Sequence, residues 1–213
     1  MLRVNRVHHP VTALGPGTRL GIWLQGCPLA CPGCMSRDTW DPNGGTDVPI
    51  AELVALWRRA VAAGADGLTV SGGEPLEQAE PLARFLDEAR AVGGDQEPDF
   101  LLYTGFELDE LDVTRRAVLA RADAVVTGRY QVALPTGLLW RGSANQQLIP
   151  LTDLGRDRYA AYTDFVVDHP PIQIAVDDER LFVIGVPPPG ALPRLERALR
   201  DQGIAFREVA WRR

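Results

Sequence analysis

The chain has 213 residues, 46% hydrophobic and 23% charged, with a formal net charge of −6. That length supports one domain with a real core, and the acidic balance argues against a general nucleic-acid surface. No apolar run approaches the roughly 20 residues that cross a bilayer, and residues 1–10 lack the apolar stretch of a signal peptide, so a cytoplasmic protein with no membrane partner is expected.

Strands are expected over Arg3 to His8 and Arg19 to Leu24, leading into a cysteine-bearing loop. Asp47 is expected to cap a helix whose Ile50, Leu53, Val54, Trp57 and Val61 share one face, with Gly64 as its stop. A strand over Gly67 to Val70 runs into Ser71-Gly72-Gly73-Glu74-Pro75. A second helix carries Leu82, Phe85, Leu86, Ala89 and Val92 and ends at Gly93-Gly94. Phe100 to Tyr103 reads as a buried strand, Leu108 to Ala120 as short helical pieces, and Ala124 to Thr127 as a strand. Strands alternating with helices predict an α/β fold with a parallel sheet, which right-handed crossovers would curl into a barrel or part of one.

After Pro170-Pro171 the pattern changes. Ile172 to Val176 alternates with period two, Asp177-Asp178-Glu179 offers a turn, and Leu181 to Ile184 a returning strand. A helix over Leu192 to Arg200 ends near Gly203, and Ile204 to Val209 is read as a last strand. The chain therefore divides into a core of residues 1–170 and a small β-β-α-β extension of residues 171–213. The extension holds no candidate cluster ligand, and is read either as a cover or docking element or as a completion of the fold.

All 22 basic residues are arginines, which excludes a P-loop lysine and a Schiff-base lysine. The three serines, Ser36, Ser71 and Ser143, are not in Gly-x-Ser-x-Gly, so the hydrolase elbow is absent. Chemistry is concentrated instead in Cys27, Cys31 and Cys34, the chain's only thiols, within Gln25-Gly26-Cys27-Pro28-Leu29-Ala30-Cys31-Pro32-Gly33-Cys34. An odd set so tightly spaced is no disulfide framework and suits metal ligation. A structural zinc would need a distant fourth ligand such as His8, His9, His169 or an acid. A cubane iron–sulfur cluster on three thiolates would leave one iron open to an exogenous ligand.

Cys-x-x-x-Cys-x-x-Cys followed by a later strand ending in Gly-Gly-Glu-Pro resembles the radical S-adenosylmethionine superfamily. Trp23 to Pro28, Cys31 to Cys34, Thr39-Trp40, Tyr103-Thr104-Gly105 and Arg141-Gly142-Ser143-x-Asn145-Gln146 match, in order, the branch that activates anaerobic ribonucleotide reductase and other glycyl radical enzymes. The resemblance covers roughly residues 3 to 150. It implies a partial (β/α) barrel of the radical S-adenosylmethionine type and a [4Fe–4S] cluster on Cys27, Cys31 and Cys34. The methionine end of S-adenosylmethionine would chelate the open iron. Reductive cleavage would then yield methionine and a 5′-deoxyadenosyl radical, with no side chain needed as acid or base.

On this resemblance Gly72, Gly73, Glu74 and Pro75 bind the cofactor's ammonium end, with Glu74 supporting that charge or bracing the loop. Thr104 and Gly105 line the same cofactor, and Asn145 with Ser143 either contacts it or stabilises its own loop. The implied partners are a glycyl radical enzyme and a reductant such as flavodoxin or ferredoxin. Two departures stand out. Related activating enzymes commonly carry an acid and a lysine where this chain has Thr127 and Arg129, and they largely end soon after the Asn145 block. A radical enzyme acting on a peptide or small metabolite, and a zinc- or cluster-stabilised binding module, are the alternative readings.

Overall fold

The structure, a computed structural model, describes residues 1–92, 97–177, 180–204 and 209. Strand β1 (Leu2–Val11) turns back antiparallel along β2 (Arg19–Leu24), and a short edge strand β3 (Thr46–Val48) pairs with the start of β1. Helix α1 (Ile50–Ala62), β4 (Gly67–Gly72), α2 (Ala79–Arg90), β5 (Asp99–Tyr103), α3 (Val113–Leu119) and β6 (Ala124–Thr127) follow as successive crossover units. Strand β7 (Gln147–Pro150) and helix α4 (Asp153–Tyr159) finish the main sheet and its cover. The sheet order is β3-β1-β2-β4-β5-β6-β7, with β2, β4, β5 and β6 mutually parallel.

Several expectations need correction. The sheet is mixed, because β1, β3 and β7 run antiparallel to their neighbours. Asp47 does not cap α1: it lies in β3 and its carboxylate pairs with Arg3 at 2.6 Å, while Pro49 occupies the cap position. Strand β1 runs past His8 to Val11, and β4 runs on through Ser71 and Gly72. Neither β7 nor α4 was expected. In β7 only Leu148 is buried, and α4 has few apolar residues and an internal Gly155. That glycine is needed because a Cβ there would stand 1.8 Å from the Asp123 carbonyl oxygen. The expected helix end at Gly93-Gly94 lies outside the described residues, as does most of the expected final strand.

Side chains alternate along the parallel strands, so each face of the sheet builds its own core. From β2, Leu20, Ile22 and Leu24 enter the helix-side cluster with Leu53, Trp57, Leu68, Leu82, Phe85 and Phe100. Trp57 is fully buried, meets Phe100 edge-on at 5.9 Å, and donates its indole N–H to the Ala89 carbonyl. On the opposite face Leu101, Val126, Trp140, Leu148 and Tyr159 form a second cluster.

That second face also contains a buried polar network. Arg19 and Asp99, both fully buried, form a two-pronged ion pair at 2.8 and 3.0 Å. Arg158 and the Tyr159 hydroxyl from α4 reach the same carboxylate. Arg19 further donates to Thr69 and to the carbonyls of Pro16 and Leu68. The network joins β2, β5 and α4 at the N-terminal edge of the parallel strands.

The extension forms a separate two-stranded sheet, β8 (Ile172–Val176) with β9 (Leu181–Gly185), followed by α5 (Ala191–Asp201). It packs on the β1–β2 end of the core. Ile184 is buried with Val11, Leu14 and Trp23, and the Phe182 ring lies 4.5 Å from His8. Gln173 accepts from the Thr12 amide and donates to the Pro10 carbonyl. Among the described residues no helix is long and apolar enough to cross a membrane.

Candidate functional site

The cysteine loop leaves β2 at the C-terminal edge of the parallel strands, where the next two strands also end. Three left-handed positions, Gly26 (φ +96°), Ala30 (φ +43°) and Gly33 (φ +78°), curl it into a compact arch. Its base is fixed by bonds from the Gly26 amide to Thr39 O (2.7 Å), from the Cys27 amide to Trp40 O, and from the Glu74 amide to Gly26 O. The three thiols are half-buried and unbridged. Burial pushes the Cys27 thiol up, against bonds from the Leu29 and Ala30 amides. Burial raises Cys34 likewise, opposed by the Ser36 amide at 3.4 Å and by the Trp40 side chain. N–H groups aimed at sulfur favour the thiolate, the form that binds metal.

Among the described residues no three of His, Cys, Asp and Glu are gathered as a ready metal cage. His8, His9 and His169 therefore do not complete a four-ligand zinc site, and His8 is instead flanked by Trp23 and Phe182. Backbone amides serve Cys27 and Cys34, and a loop with three thiols suits a cluster that takes its fourth ligand from elsewhere.

The Gly-Gly-Glu-Pro segment abuts this loop. Gly72 has φ +114°, and a Cβ there would lie 2.3 Å from the Leu24 nitrogen; at Gly73 a Cβ would lie 2.2 Å from Gly26 O. Both glycines thus let the end of β4 press against β2 and the root of the cysteine loop. Glu74, 1% exposed, accepts from the Leu76 amide (3.0 Å), the Thr104 hydroxyl (2.9 Å) and the Gly105 amide (2.7 Å). Pro75 is buried at the start of a 3₁₀ turn over Pro75–Gln78. A Cβ at Gly105 would meet the Leu29 side chain at 2.4 Å, so the Thr104-Gly105 turn lies directly under the cysteine loop. One carboxylate ties the end of β4 to the end of β5.

Burial pushes the Glu74 carboxyl up to about 7, against the pull of the bonds it accepts. A carboxyl held above its ordinary value of 4.5 binds its proton more tightly when folded. Its contribution to stability is full below that value and is lost as pH rises through 7. The urea midpoint of the metal-free protein is accordingly expected to fall between pH 5 and pH 8. Glu74→Gln should flatten that fall; an unchanged slope would show that another group sets it.

The loop after β6 closes the site from the other side. Tyr130 and Val132 pack against Gly33. This loop is clamped by the 141–146 segment: Ser143 Oγ, fully buried, accepts from the Gln131 amide, and Gln146 bonds Gly142 N, Ser143 N and Gly128 O. Asn145 donates to Arg129 O at 2.9 Å, which leaves its Oδ1 buried without a partner. Thr127 is buried, and Arg129 pairs with Glu110 at 2.7 Å. Sequence reasoning singled out neither Gln146 nor Tyr130 as a site residue, because their role is to shape a loop and only neighbours distant in the chain reveal it.

The 4Fe–4S single cluster domain family matches residues 13–149, nearly two-thirds of the chain and all three cysteines. The chain belongs to this family. Curated relatives carry the name anaerobic ribonucleoside-triphosphate reductase-activating protein. That of Enterobacteria phage T4 is 33% identical over 141 residues, 65% of this chain and 88% of its own length. That of Haemophilus influenzae is 34% identical over 137 residues (62% and 87%), and that of Vibrio cholerae 35% over 150 residues (65% and 92%). Among solved structures, QueE from Escherichia coli aligns with a TM-score of 0.41 at 18% identity, over 62% of this chain and 73% of that one.

No other cysteine exists in the chain, so Cys27, Cys31 and Cys34 are its only candidate thiolate ligands. The matched segment ends within β7, so α4, β8, β9 and α5 lie outside it.

Proposed function

We propose that the chain is a radical S-adenosylmethionine enzyme that installs a glycyl radical on a partner enzyme of the anaerobic ribonucleotide reductase type. The observation that carries this is the packing of the loop that bears the chain's only three thiols against the Gly-Gly-Glu-Pro and Thr-Gly strand ends, through Gly26, Leu29 and Glu74. The 30–35% identity to named activating proteins supports the same partner class. With cluster and cofactor bound, the chemistry supplied is reductive cleavage of the sulfonium bond to methionine and a 5′-deoxyadenosyl radical.

The chain's own residues bind, orient and shield. Cys27, Cys31 and Cys34 hold the cluster. Backbone carbonyls of Gly72 and Gly73 accept from the cofactor's ammonium, while Glu74 and Pro75 keep that turn in place. Thr104 and Gly105 form the floor beneath the cysteine loop. Asn145 offers its unpaired Oδ1 to a donor on the cofactor, and Ser143 acts behind it by holding the 128–132 loop. The parallel strands would form the partial barrel of the superfamily, the reductant would be a flavodoxin or ferredoxin, and the setting would be the cytoplasm. Incubating the reduced protein with S-adenosylmethionine and an anaerobic ribonucleotide reductase should give the doublet of a glycyl radical by electron paramagnetic resonance. Cofactor cleavage without that signal would favour a peptide or small-metabolite substrate.

Residues 1–170 act as the catalytic core, and 171–213 as an appendage that completes one wall. Ile184 and Phe182 bury Trp23, Val11 and Leu14, so the appendage contributes core as well as surface. Truncation after Asp168 is expected to lower the thermal midpoint and expose Trp23, seen as a red-shifted fluorescence maximum. An unshifted spectrum with full cofactor cleavage would make the extension a docking element alone.

A further inference from the structure

The contact between the extension and the core holds a titratable group that the proposed reaction does not use. His8 stands opposite Gly21 in the β1–β2 pairing, with its ring 5.7 Å from Trp23 and 4.5 Å from Phe182 of β9, both edge-on. Gly21 makes room for this: a Cβ there would lie 2.7 Å from the Trp23 ring, which therefore lies across β2 beside His8. The Nε2 atom of His8 is buried and makes no hydrogen bond. Around this aromatic box Ile184 is buried with Val11, Leu14 and Trp23, and Ala175, Val186 and Tyr103 pack against them.

Few ionisable groups surround His8. On its own strand His9 is exposed, and Arg6 lies 5.2 Å from the Trp23 ring and is paired with Asp38. On β2 the one ionisable side chain is Arg19, at the far end of the strand and committed to Asp99. Tyr103, from β5, turns its hydroxyl to Trp140 O. Neither β8 nor β9 contains an ionisable residue, and Asp177, which follows β8, accepts from the Arg180 amide. Burial pushes the His8 imidazole below its ordinary value of 6.5, Arg6 adds to that, and Asp177 opposes it. A proton on Nε2 would bring a charge, and a donor with no acceptor, against two aromatic rings.

We propose that His8 is a proton-operated latch for the extension: neutral, it lets the β8–β9 hairpin close over this face of the sheet, and protonated, it releases the hairpin. The latch depends on the packing of the hairpin and not on the cluster. The polar tether beside it does not titrate, because Gln173 holds Thr12 and Pro10 through a side-chain amide. A docked imidazole that binds its proton less tightly than a free one leaves docking at full strength above pH 6.5. Docking then weakens by up to about tenfold for each pH unit below that value. Release bares Trp23, at the end of β2 before the cysteine loop, and Tyr103, next to Thr104. The latch therefore governs how open the sheet face is beside the roots of both site loops.

The test uses the full, iron-loaded chain and reads the hairpin locally, because Glu74 moves global stability with pH in the opposite direction. By nuclear magnetic resonance, His8, assigned through its contacts with Phe182, should titrate below pH 6.5. Amide exchange over residues 181–185, taken relative to helix α1, should accelerate by up to about tenfold for a one-unit fall from pH 6.5. His8→Phe, which keeps a ring in the box but takes no proton, should abolish that acceleration. Ile184→Asp, which drives the hairpin off, should return His8 to its ordinary titration. A His8 that titrates at 6.5 or above in the unaltered chain would overturn the latch, and that measurement needs no variant to fold. Equal acceleration in His8→Phe would overturn it too, by assigning the change to another group, as would a His8 that stays shifted in Ile184→Asp.

Discussion

Replacing any one of Cys27, Cys31 or Cys34 by alanine is expected to abolish the visible absorbance of the anaerobically reconstituted protein and all cleavage of S-adenosylmethionine. The chain has no spare thiol, and among the described residues no three of His, Cys, Asp and Glu form a ready cage that could substitute. A four-iron cluster already short of one protein ligand cannot lose a second and keep its site. Secondary structure should survive, because the thiols are half-buried and none belongs to the three hydrophobic clusters. The result to look for is therefore a folded, colourless protein by circular dichroism and iron analysis. A variant that kept full iron and full cleavage would remove its residue from the ligand set.

Asp99→Ala should have the largest effect on stability. It strands the Arg19 guanidinium, fully buried and permanently charged, with only Thr69 and the backbone carbonyls of Pro16, Leu68 and residue 99 as acceptors. Breaking a buried pair by removing one partner costs about 3–5 kcal/mol, a large share of the roughly 5–15 kcal/mol that holds a domain folded. Arg158 and Tyr159 lose the same acceptor, so the hold of α4 on the sheet is weakened as well. The expected observation is a collapse of the denaturant midpoint, with Asp99→Asn intermediate because the amide keeps an acceptor oxygen. An unchanged midpoint in Asp99→Ala would mean that the network contributes nothing net.

The parallel strands were legible because β2, β4, β5 and β6 are short apolar runs set between amphipathic helices. Trp57 and Phe85 recur at helical spacing, and the structure buries both completely. What escaped was whatever depends on partners far along the chain. Asp47 has the look of a helix cap, yet Arg3, 44 residues away, takes its carboxylate and the backbone joins an edge strand. Helix α4 is too polar to announce itself, and its place is fixed by Gly155 against Asp123 and by Tyr159 on Asp99.

At the site, spacing alone singled out the three cysteines as candidate metal ligands. Glu74 was open to two readings, charge support or brace. Its burial and its three bonds make it a brace for the strand ends, a role the sequence could only raise. The unpaired Oδ1 of Asn145 could not be read from sequence at all, since it follows from the Nδ2 group being committed to Arg129 O.

The most direct measurement is the yield of 5′-deoxyadenosine and methionine, separated by chromatography after anaerobic incubation of the iron-loaded protein with dithionite and S-adenosylmethionine. Cys27, Cys31 and Cys34 holding a cluster with one open iron predicts both products in equal amounts, formed slowly without a partner and not at all by protein stripped of iron. Stoichiometric zinc in place of iron, or a cluster of about four irons that leaves S-adenosylmethionine intact, would contradict it.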